Sequence, residues 1–378
     1  MLGVRRCRTW ESRLLLMHLD GGLSIEFLMA QDLTVGARRM LPVRPMKSPG
    51  LIDAIVQAYN LPRNFDPIDL GGSSNLNLLF PERDRRYVAR IYRAWVTPRR
   101  LEGIQSVRAT LRAAGLPFTQ VRPSADGRTF ISFADWLVEV EPFIGGQDMG
   151  TWAQLLEGMR VLGTIHTVLS EIAAPPGTRR APAANHIDAA DAFQTTRRAC
   201  RAIRSWASSA DEERIASLSQ ELANALLSAG DGASMGFPRQ LLHGDFWDNN
   251  VKFQDGSVVA VLDLDFMEEG ARIDDLALVL YYANSGSTFA SLRSPLERMQ
   301  ALRELIDAYD SGLECHLSQE ERTALPLALA RTPLKYARHL LLRTSAAEQR
   351  AVAVAEAPDL EWALSIAKHP VPWQMAFR

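Results

Sequence analysis

The fold and the candidate site of this chain follow from one stretch, HGDFWDNN at residues 243–250, and from Asp263, which stands thirteen residues after Asn250 in an apolar run. Phosphoryl transfer requires a carboxylate that orients and deprotonates an acceptor hydroxyl, and oxygen ligands that hold Mg²⁺ against nucleotide phosphates. Asp245 matches the first requirement, and Asn250 and Asp263 match the second. We therefore predict phosphoryl-transfer chemistry at this stretch.

The spacing of these residues predicts how they meet. Residues 251–253 and 257–262 have the character of two strands, and Gln254-Asp255-Gly256 between them is typical of a hairpin turn. A hairpin that turns here brings Asp263 back opposite Asn250, with Asp245 on the loop just before it. The simpler alternative is a loop with an Asx turn and an aspartate that only ends a strand. The coincidence of several fixed positions with a second acid at hairpin spacing favours a site.

The whole chain has 378 residues, of which 47% are hydrophobic, with a formal net charge of -2 and a pI near 6.4. This length and composition predict a globular protein with a large core and more than one structural unit. The charge offers no basic field for nucleic acid, and no apolar run reaches the roughly 20 residues of a membrane span. We therefore expect neither nucleic acid nor a membrane as a partner.

The three cysteines, Cys7, Cys200 and Cys315, are far apart and lack the spacing of a metal or redox motif. They are typical of a reducing compartment, so we predict a cytoplasmic protein. Residues 1–48 are rich in arginine, and their short apolar core, residues 14–17, is interrupted before any cleavage site that a signal peptide needs. We expect a weakly structured extension there, or a start codon placed upstream of the true one.

The rest of the chain divides into two parts of different character. Residues 49–142 alternate a helix, three short strands, a second helix after Thr97 and two more strands, which predicts a small α+β lobe with an antiparallel sheet. Residues 143–378 carry mostly helical patterns, including an apolar stripe from Trp152 to Leu169 and one helix over residues 320–343. The predicted fold class is therefore α+β, with a small sheet lobe and a larger, mainly helical lobe.

This order of parts resembles the aminoglycoside phosphotransferase, choline kinase and type II homoserine kinase superfamily, which has a two-lobed, protein-kinase-like fold. The resemblance covers residues 50–345 and is strongest at residues 243–277, where His-Gly-Asp-x-x-x-x-Asn, Asp263 and Asp275-Leu276-Ala277 occur in the family's order. Further support comes from YVARIY at residues 87–92, LGTIH at 162–166 and VEVEP at 138–142, which looks like the hinge between the lobes.

The resemblance implies a kinase that uses ATP with Mg²⁺. It makes Asp245 the catalytic carboxylate and gives the metal to Asn250 and Asp263. His243 is expected to stabilise the loop rather than transfer protons, and Asp275 to tie the loop to the following helix. For His166, which lies on an apolar helical stripe, we predict a hydrogen-bonded core histidine rather than a ligand.

Two segments are expected to bind the nucleotide. Residues 71–75, Gly-Gly-Ser-Ser-Asn, look like a loop that covers the phosphates, in which Gly72, Ser73 and Ser74 bring backbone N–H groups and hydroxyls close. Alone, such a sequence is more often an ordinary turn. The adenine is expected to meet backbone groups of the hinge, whose side chains then matter little; the residues are Glu139, Val140 and Glu141.

Arg90 stands where many family members carry a lysine on the third strand. Its guanidinium can still hold phosphates, with a bidentate fork instead of a point charge. The simpler alternative is an exposed strand cation. Its expected acidic partner on the next helix is Glu102, although Gln105 occupies the better-aligned position.

The leading hypothesis is a small-molecule O-kinase whose partner is a hydroxyl compound: an aminoglycoside-like antibiotic, an amino alcohol or a homoserine-like acceptor. A cationic antibiotic needs acids near the catalytic loop, and the candidates are Asp248, Asp265, Glu268, Glu269 and Asp274. These acids suit metal binding and helix capping as well.

A catalytically weak nucleotide-binding regulator of the same fold is the alternative, suggested by Arg90 and the unclear helix glutamate. A metal-dependent phosphohydrolase is a third class, which requires further histidine ligands at metal spacing.

Overall fold

A computed structural model of the chain describes residues 44–378, apart from residues 64, 73–74, 83–84, 183, 207, 232–235, 286–293, 344 and 357–358. Most of the predicted extension, residues 1–43, lies outside the described residues, as do Ser73 and Ser74 of the predicted phosphate loop. The described chain forms one lobe built on an antiparallel sheet and one lobe mainly of helices. The predicted α+β class with two lobes is confirmed.

The smaller lobe begins with a capped helix, α1 (Pro49–Tyr59). The Ser48 hydroxyl accepts a hydrogen bond from the Leu51 N–H at 3.3 Å, and Pro49 occupies the first turn, where an N–H has no helical partner to lose. The helix ends at Asn60, whose φ of 49° is left-handed, a conformation that asparagine tolerates. Its apolar face is buried against the sheet.

The sheet of this lobe has five antiparallel strands in the order β1-β2-β3-β5-β4. Their bounds are β1 (Ile68–Asp69), β2 (Leu76–Glu82), β3 (Arg85–Ile91), β4 (Ile131–Phe133) and β5 (Trp136–Pro142). A second helix, α2 (Pro98–Ala113), is capped by Thr97 and connects β3 to β4. The central strands β3 and β5 are buried over most of their length. Charged residues within them, Arg90, Glu139 and Glu141, must therefore be paired inside the protein.

The larger lobe holds two small sheets among its helices. One has the order β6-β8-β9, and the other pairs β7 with β10; the strands are β6 (Gln147–Asp148), β7 (Arg239–Leu242), β8 (Val251–Gln254), β9 (Ser257–Val261) and β10 (Glu268–Ala271). The predicted hairpin is confirmed: β8 and β9 turn at Asp255-Gly256, both at positive φ.

The helices of this lobe supply most of the core. They are α3 (Trp152–Ser170), α4 (Ala189–Arg204), α5 (Ala210–Ala229), α6 (Arg272–Ser285), α7 (Pro295–Ser311), α8 (Gln319–Arg331), α9 (Lys335–Leu341), α10 (Ala346–Glu356), α11 (Leu360–Lys368) and α12 (Pro370–Phe377). The predicted apolar stripe of α3 is buried, and α3 crosses α7 closely, since a Cβ on Gly163 would lie 2.2 Å from the Tyr309 carbonyl oxygen. Among the described residues, no helix is both long and apolar enough to cross a membrane.

One predicted helix is divided in the structure. The pattern at residues 320–343 predicts a single helix, but α8 ends at Arg331, a single 3-10 turn covers Thr332–Leu334, and α9 begins at Lys335. Pro333 has no N–H to donate, and its ring clashes with the preceding turn, so the α-helical ladder stops there. The break turns α9 into a short helix of its own.

Candidate active site

The His-Gly-Asp segment follows β7 as a tight loop held by one carboxylate. Asp275, in the first turn of α6, accepts hydrogen bonds from the His243 N–H at 2.8 Å and the Gly244 N–H at 3.1 Å. Gly244 has a φ of 79°, and a Cβ there would lie 2.4 Å from the Phe266 carbonyl oxygen. Only glycine fits this position. The predicted role of Asp275, tying the loop to the following helix, is confirmed.

Two histidines lie beneath this loop. His166 is buried, with Nε2 at 3.0 Å from Asp275 Oδ2 and Nδ1 at 2.6 Å from the Tyr309 hydroxyl. His243 packs edge-on against the Phe246 ring, and its Nδ1 accepts a hydrogen bond from the Asp245 N–H at 3.3 Å. Burial lowers the pKa of His243 below its ordinary value, which favours the neutral ring. Both histidines are therefore part of the scaffold, as predicted.

Asp245 is held by two side-chain amides. Asn185 donates to Oδ1 at 2.8 Å, and Asn250 donates to Oδ2 at 3.0 Å and to the Asp245 carbonyl oxygen at 2.9 Å. Hydrogen bonds to both carboxylate oxygens orient the group. The sequence prediction missed Asn185, because it lies sixty residues earlier in a loop without any motif.

The hairpin places Asp263 beside Asn250, as predicted. Val251 pairs with Val261, and the Leu262 N–H donates to the Asn250 carbonyl oxygen at 2.8 Å. Asp263 then leaves the strand with a φ of 64°, a left-handed conformation that is uncommon for any residue but glycine. Such strain is typical of functional sites, and it indicates that the Asp263 carboxylate is held in a set position.

Asn250 and Asp263 can offer a metal ion two oxygen ligands. Among the described residues, no group of three or more His, Cys, Asp or Glu side chains could hold a metal. Mg²⁺ does not need such a group, because it takes one or two protein ligands and completes its shell with waters and substrate phosphates. The pair therefore fits a Mg²⁺ that binds together with a nucleotide.

Arg90 on β3 connects the two lobes at this point. Its guanidinium lies 3.0 Å from Asp263 Oδ2 and 3.6 Å from Glu141 Oε1, and only 7% of the residue is exposed. Burial alone would raise the pKa of Asp263, but Arg90 and Arg93 outweigh it and hold that pKa below its ordinary value. The predicted phosphate-binding cation and the predicted metal ligand thus meet directly.

The acidic partner of Arg90 comes from β5 and not from α2. Glu102 is exposed, so the expected pair between Arg90 and Glu102 is wrong. The α2 residue that faces the sheet is Arg108, which contacts Glu139 at 2.8 and 2.9 Å and Glu141 at 3.1 Å. Because the helix presents a cation here, the acid between the two arginines has to come from the strand.

The predicted hinge residues lie inside the sheet. Glu139, Val140 and Glu141 pair with Arg90, Ala89 and Val88 of β3. Successive residues of a strand point their N–H and C=O groups to opposite sides, and on the other side the Val140 carbonyl oxygen accepts from the Arg122 N–H at 2.7 Å. The pairing with β3 and this bond therefore engage backbone groups of this segment within the sheet.

The sequence predicted that the side chains of residues 139–141 matter little, and the structure shows that they are important for packing. Glu139 has no exposed surface and accepts hydrogen bonds from the Tyr92 hydroxyl at 2.6 Å, from Gln105 at 2.7 Å and from Arg108. A buried carboxylate is stable only with such partners. Glu139 and Glu141 thus help to position Arg90 and Arg108 through their side chains, although the sequence predicted a role only for the backbone of this segment.

The predicted phosphate loop lies between β1 and β2. Gly71 and Gly72 have φ values of 87° and 111°, and the Gly71 N–H donates to Asp69 Oδ1 at 2.8 Å. A Cβ on Gly72 would lie 3.0 Å from the Asn77 side-chain nitrogen. Glycine is therefore required for this loop shape, while Ser73 and Ser74 lie outside the described residues.

Asn75, at the end of this loop, contacts Asp265 of the larger lobe. Its amide donates to Asp265 Oδ2 at 2.5 Å, and its Oδ1 accepts from the Arg93 N–H at 3.3 Å. Burial and the neighbouring Asp263 carboxylate raise the pKa of Asp265 to about 7. The sequence prediction missed this contact. It joins the predicted phosphate loop, residues 71–75, to the segment that carries Asp263, the predicted metal ligand.

The fold and this arrangement define a class of protein, a two-lobed, kinase-like phosphotransferase. A family model described as the Phosphotransferase enzyme family matches residues 67–315, and the chain belongs to this family. No curated protein sequence matches the chain.

Solved structures are similar over most of their length. An amicoumacin kinase in complex with AMP-PNP and Ca²⁺ is 14% identical, with a TM-score of 0.62, over 87% of this chain and 95% of that chain. A microcompartment-associated aminopropanol kinase is 17% identical, with a TM-score of 0.58, over 85% and 99%. An aminoglycoside phosphotransferase from Alicyclobacillus acidocaldarius is 16% identical, with a TM-score of 0.56, over 86% and 98%. At these identities the similarity establishes the fold, and it confirms the predicted kinase-like architecture.

Proposed function

We propose that the protein transfers the γ-phosphate of ATP to a hydroxyl group of a small molecule. One observation carries the proposal: Asp245, with both oxygens held by amides, shares a hairpin unit with Asn250 and Asp263, and Asp263 lies 3.0 Å from Arg90. A base, two metal ligands and a phosphate-binding cation are thus close together. Membership in the Phosphotransferase enzyme family supports the same reaction.

In this proposal Asp245 orients the acceptor hydroxyl and takes its proton. The hydroxyl oxygen forms a bond to the γ-phosphorus while the bond from that phosphorus to the bridging oxygen of ADP breaks, so no phosphoenzyme forms. Asn185 and Asn250 hold the carboxylate in advance, which removes a reorientation step from the reaction. Asn250 and Asp263 would hold Mg²⁺, which would supply positive charge next to the phosphate oxygens.

Arg90 and the loop that contains Gly72, Ser73 and Ser74 hold the phosphates in the same proposal. An arginine fork can bond two phosphate oxygens at once, and Asp263 and Glu141 fix its direction. In the same proposal the adenine meets backbone groups of the hinge segment, residues 139–141, part of whose backbone is engaged by β3 and by the Arg122 N–H.

For the acceptor, the family resemblance supports three classes: an aminoglycoside-like antibiotic, an amino alcohol or a homoserine-like compound. The five acids that favour a cationic antibiotic are largely engaged with the protein itself. Glu268 lies 2.9 Å from His186, Asp265 is bonded to Asn75, and Asp274 pairs with Arg331. Amino alcohols and homoserine-like compounds are therefore better supported than a polycation.

A catalytically weak nucleotide-binding regulator is the alternative proposal. The sequence supported it through Arg90 and through the unclear helix glutamate. Glu141 takes the place of that glutamate beside Arg90, and Asp245, Asn250 and Asp263 are in positions that suit catalysis. The regulator thus loses one of its two supports.

The test is ADP release from Mg-ATP with a panel of hydroxyl acceptors, for the wild type and for Asp245→Asn. The asparagine keeps the shape and loses the base, so we expect kcat to fall by about 10²–10⁴-fold with little change in Mg-ATP affinity. A wild type that binds Mg-ATP but matches the variant across the panel would support the regulator. Hydrolysis of phosphate esters without nucleotide would support a phosphohydrolase instead.

A further inference from the structure

Helix α9 lies next to the catalytic carboxylate through one short segment. Arg338 donates to the His186 carbonyl oxygen at 3.2 Å, and His339 Nε2 lies 3.1 Å from the Ala184 carbonyl oxygen. Between those two carbonyls stands Asn185, whose amide is bonded to Asp245. Two side chains of α9 therefore fix the residue that touches the proposed base.

A second path leads from Asp245 to the same helix. The ring of Trp247, two residues after Asp245, lies 5.3 Å from the ring of Tyr282 on α6. The Lys335 ammonium donates to the Tyr282 hydroxyl at 2.7 Å and lies 4.4 Å from the centre of that ring. Both aromatic rings are half-buried, so each keeps some surface toward solvent.

The two paths converge on one helix face. Lys335, Arg338 and His339 are spaced by three and four residues, which places them on the same side of α9. This side therefore faces both the segment at residues 184–186 and the aromatic pair. Asp245, the aromatic pair Trp247 and Tyr282, and the basic side of α9 therefore lie in one region of the structure.

The charges on this face differ from those that a polycationic acceptor needs. Glu268 is nearby, but it is shared by His186 at 2.9 Å, the Ala181 N–H at 2.8 Å and Arg338 at 3.7 Å. Arg338 also lies 4.0 Å from Asp191. Lys335 carries its charge in a site that is only 7% exposed, where attraction to an anion is screened less than at the surface.

We propose that the acceptor is a hydroxyl compound that carries a carboxylate, and that Lys335 recognises this carboxylate. The carbon skeleton lies against Trp247 and Tyr282, which places the hydroxyl at Asp245 and the carboxylate toward α9. A lysine ammonium and a phenol hydroxyl together supply the donors that a carboxylate accepts. This inference rests on the proposed kinase function and narrows its acceptor to acids, including homoserine-like ones.

The experiment compares acceptors of similar size in which the group far from the reacting hydroxyl is a carboxylate, a neutral group or an ammonium. In the first set the carboxylates are hydroxybutyrate with a terminal hydroxyl and homoserine, the neutral compound is butanediol and the cation is aminobutanol. In the second set the carboxylate is hydroxymethylbenzoate, the neutral compound is hydroxymethylbenzamide and the cation is aminomethylbenzyl alcohol. ADP release from Mg-ATP gives kcat and KM for each compound. We expect kcat/KM for the carboxylates to exceed that of the neutral and cationic compounds of the same set by about tenfold or more.

The variant Lys335→Met keeps the length of the side chain and removes the charge. We expect it to raise KM for the carboxylates by about tenfold, to leave KM for the neutral compounds within about twofold, and to leave the Kd for Mg-ATP unchanged. Lys368→Met removes the same charge from an exposed site on α11 paired with Glu221, and it is the control. Tyr282→Phe, which keeps the ring, is expected to weaken carboxylate acceptors in the same direction.

The outcomes distinguish a failure of the Lys335 assignment from a failure of the proposed kinase function. Phosphorylation of neutral or cationic compounds in preference to the carboxylates, or equal KM values in the wild type and a folded Lys335→Met protein, would overturn the assignment of Lys335 and leave the kinase standing. If no hydroxyl compound of any charge releases ADP although Mg-ATP binds, the kinase itself fails. Thermal melting of each variant shows whether it is folded.

Discussion

At the scale of single residues, four buried charges of the small lobe and Asp263 of the larger lobe form a connected row. Asp263, Arg90, Glu141, Arg108 and Glu139 alternate in sign, and each contacts the next within 3.6 Å. A buried ion is stable only when it is paired and hydrogen-bonded, so the loss of one member exposes its neighbours to the full cost of burial. Glu141 is the member between the two arginines.

The first prediction concerns this position. Glu141→Gln keeps the size of the side chain but leaves Arg90 and Arg108 side by side without the acid between them. We expect the free energy of unfolding to fall by about 3 kcal/mol, and kcat/KM for Mg-ATP to fall about tenfold because Arg90 is displaced. Urea unfolding and steady-state kinetics measure the two effects.

The control for this prediction is Glu102→Gln. Glu102 is the glutamate that the sequence pattern assigned to Arg90, but it is exposed on α2. Its substitution is expected to change stability by no more than about 0.5 kcal/mol. Equal effects of the two substitutions would contradict the assignment of Glu141 as the partner of Arg90.

At the scale of secondary-structure elements, the His-Gly-Asp loop depends on β-strand pairing and on one glycine. β7 pairs with β10, Leu242 opposite Glu268, so the loop after β7 and the start of α6 lie next to each other. Asp275 of α6 can then bind two N–H groups of the loop. The close approach of Gly244 to the Phe266 carbonyl completes this contact.

The second prediction compares two glycines with nearly the same backbone. Gly244 and Gly230 have φ values of 79° and 82°, but among the described residues a Cβ on Gly230 would have no atom within 4 Å. We expect Gly230→Ala to cost about 1–2 kcal/mol from its left-handed backbone alone. Gly244→Ala should cost about 1–3 kcal/mol more, and it should abolish most activity because Asp245 is displaced.

Urea unfolding and ADP release test this comparison directly. The Gly230→Ala protein, altered at the end of α5, is expected to keep its kcat. If Gly244→Ala retained full kcat, the loop would not need the close contact with residue 266, and the geometric account of the His-Gly-Asp segment would be wrong.

At the scale of the whole molecule, one arginine joins the two lobes. Arg100 projects from α2 of the small lobe, and its guanidinium donates to four carbonyl oxygens at 2.6–3.0 Å, those of Asp265, Met267, Gly177 and Arg180. Burial lowers the pKa of Arg100 to about 10, so it still carries its charge at neutral pH. The planar fork of arginine is suited to several carbonyls at once.

The third prediction is that Arg100→Met loosens the contact between the lobes. Four carbonyls lose their donor, and we expect a loss of about 3 kcal/mol in the free energy of unfolding, with faster hydrogen exchange at residues 265–267. Arg99→Met on the exposed side of the same helix is the matched control and is expected to be near neutral. Unchanged exchange at residues 265–267 in Arg100→Met would contradict the role of Arg100.

Much of the candidate site was predictable because its parts lie close together in the sequence. Asp245, Asn250 and Asp263 belong to one loop and one hairpin, and strand pairing with a tight turn determines how such a segment closes. The scaffold roles of His243 and Asp275 were implied by the family resemblance. The lobes were predictable from the change between strand and helix periodicity.

Contacts between distant segments were not predictable in this way. Asn185 on Asp245, Asn75 on Asp265 and Glu141 on Arg90 each depend on how separate elements pack, and no spacing in the chain encodes them. The division of the helix at residues 320–343 had a local signal in Pro333.

The sequence by itself determined the β8–β9 hairpin that carries the candidate site and the two-lobed α+β fold, since short-range hydrogen bonding and apolar periodicity depend on the local order of residues. Only the tertiary structure decided that β5 and not α2 supplies the acid for Arg90, that Asn185 holds Asp245, and that α9 turns a basic face to residues 184–186 and Tyr282. The physical reason is that a buried charge takes its partner from whichever element packs against it, and packing is a property of the whole chain.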